Sequence, residues 1–488
     1  MKIQITGKWE RYESGDLLVY YRGSKDVVAD VVVKLESSNF SSQEILDILQ
    51  RCNGSTTAII KHSKYIIAWV DHIRSWPIFY TEREFSNCIT DDVFSMNKKI
   101  TNIHVNQDAL IEFCTSGYVS GSSTILKDFR CLEPGDLMFY SFDDEQITIS
   151  KHFEFRPNNK YLETVNYEAK STEFENLLNI IFDEIIENAE KQDARIWVPL
   201  SAGLDSRLIL VKLIERNCTK IGCFTYGPHG NFEASKAKTI ASELGVEWYR
   251  VQLTAAEIRD IYNDEATERY INSAFQYKAV PAFGGFFAAF KLKKLGVFKS
   301  GDIVINGQSG DFISGGHLSN YFPDQKFEDI NIEDHLNLYL RKHHSLLRNF
   351  ENQLKKTEFY SSLLVQCNQN KNNLLNVFDQ YEYNNRQCSY VINAQRIYET
   401  FDLNWELPLW DKRIVKFFET LPLNYRLDQK FYKKFLVDKN YLNQFVNPEK
   451  NILRFPVQYA WVIIVGKLIH AVFGPKNKNE FYRKYSNI

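Results

Sequence analysis

The chain has 488 residues, which is enough for two or three domains. Its 59 lysines and arginines nearly balance its 61 aspartates and glutamates, so nothing in the charge indicates a nucleic-acid partner. The apolar share of 44% is ordinary for a globular protein, and the spacing of the eight cysteines matches no common zinc site.

Residues 1–155 are predicted to form mostly β-structure. Runs of β-branched and aromatic residues, which favour strands, begin at Asp16, Val27, Thr57 and Tyr65. A helix is predicted over 108–117, and Pro134 with Gly135 predicts a turn before a strand over 136–142. We therefore expect two packed sheets with few helices in this part of the chain.

Residues 156–172 are polar and carry proline and asparagine, a composition typical of a linker. A helix is predicted over 174–190, immediately before the next strand. The predicted organisation is therefore an N-terminal domain over 1–155, a linker over 156–172 and a second domain over 173–488.

The stretch 195–215 predicts a buried strand, a tight polar loop and a helix. Ile196 begins a short apolar run, and apolar residues recur at helical spacing from Leu204 onward. The first N–H groups of a helix lack intrahelical partners, so small residues before them favour phosphate binding. Asp205 would repel a bare phosphate, and its expected role is to hold Mg²⁺. The alternative is an ordinary strand–helix turn capped by serine or aspartate.

Strands and helices alternate beyond this loop. Strands are predicted over 220–227, 247–253 and 302–306. A helix is predicted over 233–244 with Gly245 as its stop signal. This alternation predicts a doubly wound parallel sheet, whose ligands bind at the carboxyl ends of the strands. Residues 318–400 are predicted to be helical additions to it.

The sequence Ser201-Ala-Gly-Leu-Asp-Ser206 resembles the Ser-Gly-Gly-x-Asp-Ser loop of ATP pyrophosphatases, among them the asparagine synthetases, with Ala202 in place of the first glycine. The resemblance implies an ATP pyrophosphatase domain. Tyr226 falls at the family's adenine-binding segment, and the alternative for it is a core aromatic at a strand end. The nucleotide-binding residues implied by the resemblance are Leu200, Ser201, Gly203, Leu204, Asp205, Ser206, Tyr226 and Gly307.

A second glycine-rich loop follows the strand at 302–306. Its sequence Gly307-Gln-Ser-Gly-Asp311 resembles the family's Gly-Glu-Gly-x-Asp-Glu loop. The resemblance implies that Asp311 joins Asp205 in holding Mg²⁺ on ATP phosphates. The family's catalytic glutamate is replaced by Gln308, whose amide does not accept a proton at neutral pH. Either another group deprotonates the nucleophile, or the reaction needs no base at this place. Gln308 could still form a hydrogen bond with a substrate.

The N-terminal part is similar to the Ntn-type glutaminase domain of the same family. The likeness lies in Asp71-x-x-Arg-Ser-x-Pro-Ile-Phe-Tyr80, in Gly117-Tyr-Val and in Leu132-x-Pro-Gly135. The family's nucleophile is a cysteine directly after the initiator methionine, with the free α-amino group as its base. This chain has Lys2 there. We therefore expect an Ntn-hydrolase-like β-sandwich without glutaminase chemistry.

Two further segments resemble the family with changes. Glu406 stands where the family has arginine in its Arg-x-Pro-x-x-Asp segment. Residues 447–456 occupy the place of a lysine-bearing loop, whose lysine stabilises the acyl-transfer transition state. Lys450 is the candidate for that role and Arg454 the alternate; a solvated surface charge is the competing interpretation.

The resemblance as a whole implies an AMP-forming amide ligase that uses ATP and Mg²⁺ to join ammonia or an amine to a small-molecule carboxylate. The favoured acceptor is a uronic-acid-type sugar of a bacterial surface polysaccharide. The alternatives are a lactam- or macrocycle-forming cyclase and a non-catalytic scaffold. A separate glutaminase is one candidate source of nitrogen, and a homodimer is one candidate assembly.

The cellular location is also predicted from sequence. The chain shows no secretory signal, which favours the cytoplasm. The apolar run 459–473 is shorter than the roughly 20 residues of a membrane span, and Lys467 and His470 interrupt it. A buried helix is the favoured interpretation of this run, and an interfacial helix is the alternative.

Overall fold

The computed structural model describes residues 1–37, 40–81, 87–97, 104–160, 163–228, 230–320, 331–347 and 351–445. Met1–Gln444 form one unit, and Phe445 belongs to a second. The predictions for Lys450, Arg454 and the run 459–473 fall outside the described residues.

Fifteen strands occur in the described part of the chain. They are β1 (Lys2–Gln4), β2 (Glu10–Ser14), β3 (Leu17–Gly23), β4 (Thr56–Lys61), β5 (Tyr65–Trp69), β6 (Phe79–Thr81), β7 (Cys88–Thr90), β8 (Phe129–Cys131), β9 (Asp136–Ser141), β10 (Ile147–Lys151), β11 (Ile196–Pro199), β12 (Ile221–Tyr226), β13 (Glu247–Val251), β14 (Ile303–Ile305) and β15 (Asn404–Glu406).

The α-helices are α1 (Lys25–Glu36), α2 (Ser42–Arg51), α3 (Val93–Asn97), α4 (Gln107–Ser116), α5 (Tyr167–Lys191), α6 (Leu204–Glu215), α7 (Phe232–Glu243), α8 (Ala255–Tyr262), α9 (Glu265–Phe275), α10 (Phe286–Lys294), α11 (Gly310–Ile313), α12 (Ile332–His343), α13 (Glu351–Leu354), α14 (Glu358–Gln369), α15 (Leu374–Tyr381), α16 (Arg396–Thr400), α17 (Lys412–Thr420), α18 (Leu423–Arg426) and α19 (Lys430–Lys439). A π-helical segment, Glu382–Val391, follows α15. None of the helices described is both long and apolar enough to cross a bilayer.

Two sheets form the N-terminal part of the protein. One has six strands in the order β10-β9-β5-β4-β3-β2, and the other has four in the order β1-β7-β6-β8. Alternating residues of β4 and β5 point to opposite faces of the larger sheet. Ile59 and Ile66 pack with Ile89 of the smaller sheet, whereas Ile60 and Ile67 pack with residues of α1 and α2. This arrangement confirms the predicted sandwich of two packed sheets.

One predicted strand in this part is wrong. The valine-rich run that begins at Val27 lies within helix α1, not in a sheet. Its buried residues Val27, Val28, Val31, Val32 and Leu35 recur at helical spacing, so one face of the helix packs on the six-stranded sheet. The burial of this apolar face contributes more than the weak preference of valine for strands, so the segment is helical. Helices α1 and α2 also correct the expectation of few helices.

The C-terminal sheet is parallel and has the strand order β13-β12-β11-β14-β15. This order confirms the predicted doubly wound fold. Chain order runs outward from β11 to β13 on one side and then resumes with β14 on the other side. The direction of winding therefore reverses between β11 and β14, and ligands of open α/β sheets bind at such a reversal.

Candidate active site

The first loop of the site joins β11 to α6 and covers residues 201–206. The backbone N–H of Ser201 donates to Ser206 Oγ at 3.1 Å, and the N–H of Gly203 donates to Ser201 Oγ at 3.0 Å. Gly203 is the N-cap residue of α6 and contributes no side-chain cap. The loop is thus held closed by its own serines, and the positive end of a 12-residue helix lies directly behind it.

The second loop covers residues 306–311, which follow β14 and include the start of α11, and it packs directly on the first loop. A Cβ atom placed on Gly310 would lie 2.6 Å from Cγ of Asp205, and one placed on Gly307 would lie 3.0 Å from Cβ of Asp205. Neither position has room for a side chain unless the loops move apart. The two loops, about 100 residues apart in sequence, therefore meet at the reversal between β11 and β14.

Asp205 occupies the centre of this contact. Its Oδ1 accepts a hydrogen bond of 2.8 Å from the hydroxyl of Tyr432, a side chain that is almost fully buried. Burial, opposed by the Tyr432 hydrogen bond and helped by the nearby charge of Asp311, raises the pKa of Asp205 to about 7. A cation between Asp205 and Asp311 would relieve that repulsion.

The donor atoms fit Mg²⁺. Mg²⁺ prefers oxygen ligands and is commonly held by one or two carboxylates together with substrate phosphates. Asp205 and the exposed Asp311 supply two carboxylates at the ends of neighbouring strands. No group of three or more potential metal ligands occurs in the ranges that the structure describes, so the phosphates would have to supply the remaining ligands.

Gln308 is held at three points. Its backbone N–H donates to Asn306 Oδ1 at 3.0 Å, and its carbonyl oxygen accepts from Trp410 Nε1 at 3.0 Å. Its side-chain Oε1 accepts a 2.7 Å hydrogen bond from Nε2 of Gln395, which is fully buried. The NH₂ group of Gln308 is then the part of the side chain that can bind substrate, and it can donate a hydrogen bond to a substrate oxygen but cannot accept a proton.

Glu406 ends β15 beside the second loop. Its carbonyl oxygen accepts a 3.0 Å hydrogen bond from the N–H of Asn306, and Ile305 pairs with Glu406 in register. Burial, with a further contribution from the charge of Asp411, raises the pKa of the Glu406 carboxyl to about 7. The replacement of the family's arginine thus places a carboxyl that titrates near neutrality next to the loop of Gln308.

The remaining predicted nucleotide contacts lie around the first loop. The N–H of Leu200 donates to the carbonyl of Phe224, which ties β11 to β12 at the base of the loop. Leu204 opens α6. Tyr226 is the last residue of β12 and packs near the backbone of Gly285. Its side chain is 39% exposed, so the ring is accessible at the carboxyl end of this strand. Contact of Tyr226 with an adenine base stays a prediction.

The N-terminal sandwich carries no activated thiol at the start of the chain. Lys2 begins β1 and pairs in register with Cys88. Cys88 itself is buried in an apolar cluster with Val93 and Met96. Burial raises the pKa of Cys52, which ends helix α2. A reactive thiol needs the opposite, a lowered pKa in an accessible place.

Residues 178–454 match the sequence model of asparagine synthase, which is more than half of the chain. The chain belongs to the asparagine synthase family. Membership confirms the resemblance of the two loops and implies ATP-dependent amide ligase activity. No curated protein matches the chain.

Three solved structures share low similarity with this family member. They are the allosteric regulatory enzyme of purine biosynthesis (10% identity, TM-score 0.21, 61% of this chain and 56% of that one), an NH₃-dependent NAD synthetase from Campylobacter jejuni (14%, 0.22, 43% and 87%) and a glutamine phosphoribosylpyrophosphate amidotransferase from B. subtilis (12%, 0.17, 63% and 60%). The chain thus spans less than two thirds of the purine enzyme and of the B. subtilis enzyme. Likenesses of this strength carry no functional information.

Three residues that contact the candidate site were not found by sequence reasoning. Tyr432 contacts Asp205, and Gln395 and Trp410 both contact Gln308. Each comes from a helical segment distant in sequence from its partner, and none carries a local motif. Trp410 alone lies within a recognised segment, residues 406–411, at a position that the Arg-x-Pro-x-x-Asp pattern leaves open.

Proposed function

We propose that the protein is an AMP-forming amide ligase. A substrate carboxylate would attack the α-phosphate of ATP and release pyrophosphate, and ammonia or an amine would then displace AMP and lose a proton. The observation that supports this most is the contact of Gly307 and Gly310 with Asp205, because it brings both glycine-rich loops to the reversal of the sheet.

In this proposal the first loop binds the β- and γ-phosphates. Ser201, Gly203 and Ser206 offer hydroxyl and backbone donors at the start of α6. Asp205 and Asp311 would hold Mg²⁺, which neutralises phosphate charge when bound. Lys450 would stabilise charge that develops during acyl transfer. The protein's contribution is positioning and electrostatic stabilisation.

The nitrogen would not come from glutamine hydrolysed by this chain. Lys2 replaces the nucleophile, Cys88 and Cys131 are buried in an apolar cluster, and burial raises the pKa of Cys52. Free ammonia, an amine within the substrate, and a separate glutaminase are the remaining sources. The donor orientation of Gln308 favours an acceptor rich in oxygen atoms, which supports a uronic-acid-type sugar of a surface polysaccharide.

The test is ATP–pyrophosphate exchange with glucuronate, galacturonate and aspartate as carboxylates, and ammonium chloride as nitrogen donor for the complete reaction. We expect a uronic acid to support exchange and an amide to form with AMP. The Asp311→Asn variant should reduce the exchange. If wild type binds no Mg-ATP at millimolar concentration, with or without these carboxylates, the protein is a scaffold and the proposal is wrong.

A further inference from the structure

A loop of the N-terminal sandwich reaches the Gln308 loop through one intermediate residue. His72 is buried, and its Nε2 lies 2.7 Å from the carbonyl oxygen of Trp410. A carbonyl only accepts, so Nε2 carries the proton and donates it. The indole Nε1 of Trp410 in turn donates to the carbonyl of Gln308 at 3.0 Å. Two hydrogen bonds therefore connect His72 with the backbone of Gln308.

The same sandwich loop reaches the Gln308 side chain by a second route. The carbonyl of Ser75 accepts a hydrogen bond of 2.5 Å from Nη2 of the buried Arg396. Arg396 directly follows Gln395, whose Nε2 donates to Oε1 of Gln308. Loop 71–75 thus contacts Trp410, which supports the backbone of Gln308, and Arg396, the neighbour in sequence of the residue that supports its side chain.

Loop 71–75 is itself firmly held. Oδ1 of Asp71 accepts hydrogen bonds of 3.0 Å from the N–H groups of Ile73 and Ser75. The carbonyl of His72 accepts from the hydroxyl of Tyr383 at 3.0 Å. Burial lowers the pKa of His72 to about 4, so the ring is neutral at physiological pH and keeps one donor and one acceptor. Because the loop and the His72 donor are both held in place, they can fix the position of Trp410 and, through it, of Gln308.

We infer that the N-terminal sandwich serves as the positioning element of the Gln308 loop, with His72 as its principal positioning residue. The role of Gln308 toward substrate rests on the proposed function, whereas its placement by His72 does not. The sandwich is thereby needed for the reaction at the parallel sheet without any glutaminase chemistry of its own.

The first loop provides an internal reference. The N–H groups of Ser201 and Gly203 donate to serines of the same loop, the carbonyl of Gly203 accepts from Arg207 Nε, and Asp205 accepts from Tyr432. None of the hydrogen bonds seen in the described ranges joins residues 201–206 to loop 71–75. Loss of the His72 donor should therefore speed amide exchange in residues 306–311 more than in residues 201–206.

The experiment compares His72→Leu with His72→Gln in the full chain by amide hydrogen exchange. Asn306, Gln308 and Gly310 have hydrogen-bonded amides, so their exchange reports opening of the second loop. We expect His72→Leu to speed exchange of 306–311 by roughly tenfold, as for the loss of one buried hydrogen bond. Glutamine can place its Nε2–H near the imidazole Nε2, so His72→Gln should restore slow exchange.

Two further variants make the result decisive. Trp410→Phe removes only the donor to Gln308 and keeps a ring to stack on Phe312, and it should speed exchange of 306–311 even if His72→Leu does not fold. Trp69→Phe is the matched control: Trp69 is equally buried in the sandwich, and its Nε1 has no partner within the described ranges. It should leave both loops unchanged.

The inference is wrong if exchange of 306–311 is unchanged in both His72→Leu and Trp410→Phe, or rises equally in 201–206. Activity adds a second measurement: with a carboxylate that supports pyrophosphate exchange, His72→Leu should lower kcat and His72→Gln should restore it. Failure of every carboxylate in wild type would overturn the proposed function alone, because the hydrogen-exchange result needs no substrate.

Discussion

The parallel sheet and the N-terminal sandwich differ in how much of a candidate active site each contains. The parallel sheet holds two glycine-rich loops in direct contact around Asp205, at the reversal of its strands. The N-terminal sandwich has a complete two-sheet core, and Lys2 stands where the sequence resemblance implies a cysteine nucleophile. The sandwich is nevertheless joined to the second part through buried contacts such as Lys412, whose ammonium donates to three carbonyls at the end of α2. These contacts join the sandwich and the parallel sheet within one unit, Met1–Gln444.

Among the variants that test the difference between the two parts, Asp205→Asn should have the largest effect on activity. Asp205→Asn removes one of the two carboxylates proposed to bind Mg²⁺, so turnover should fall at least about a hundredfold and Mg-ATP binding should weaken. Calorimetry and pyrophosphate exchange measure both. Asp136→Asn alters a buried carboxyl of the sandwich and should leave Mg-ATP affinity unchanged. Equal losses in the two variants would refute the special role of Asp205.

Gln308→Glu sharpens the comparison at the second loop. If Gln308 orients a polar acceptor through its NH₂ group, the change should reduce kcat/KM by roughly 1–3 kcal/mol, the effect of a mispaired buried group. Steady-state kinetics between pH 6 and 9 measure it. An increase of about tenfold or more, with a pH dependence near neutrality, would mean that a missing base was limiting. The cyclase alternative would then replace amidation by ammonia.

The pH dependence of stability should differ between wild type and Asp205→Asn. The folded state raises the pKa of Asp205 from 3.8 to about 7, so the folded protein retains a proton that the unfolded chain releases. Stability from this group therefore falls as pH rises from about 4 to 7. Without Mg-ATP, Asp205→Asn should become more stable than wild type over that range, on the order of 1–3 kcal/mol by pH 7. Denaturant unfolding at pH 5, 6 and 7 measures this, and a constant difference would contradict it.

Tyr432→Phe should have a smaller effect on the same carboxylate. The change removes the hydroxyl that donates to Asp205 and should weaken Mg-ATP binding by about 1 kcal/mol, roughly fivefold. Calorimetry at pH 8 measures the loss. Tyr441→Phe is the matched control, since its hydroxyl donates to Glu175 instead. The idea that Tyr432 supports the metal ligand fails if both variants bind Mg-ATP like wild type.

The smallest expected effect is the glutaminase activity of the N-terminal sandwich. Incubation with glutamine, alone or with ATP and a carboxylate, should release no glutamate, because Lys2 cannot act as a thiolate nucleophile. Ammonium chloride in place of glutamine is the control for a competent preparation. Glutamate release above about one turnover per minute, after contaminating glutaminases are excluded, would refute the prediction; ordinary enzymes exceed that rate by far.

Local patterns predicted much of the parallel sheet. The helix predicted from Leu204 onward is observed as Leu204–Glu215, and the strand expected over 302–306 is observed as Ile303–Ile305. Such elements are encoded by periodicity and by glycine at their ends, which act over a few residues. The run at Val27 was misassigned because residue preference and periodicity disagree there, and packing on the sheet decided in favour of the helix.

The amino-acid sequence was sufficient to predict the family, the two sandwich sheets, the doubly wound sheet and the loops that carry Asp205 and Gln308, because each of these depends on short-range spacing. It contains no local mark of the partners of those side chains. Tyr432 and Gln395 come from distant helices, and His72 comes from the other half of the protein. Their contacts exist only once the two halves pack together, since hydrogen bonds between distant segments depend on tertiary geometry and not on any motif.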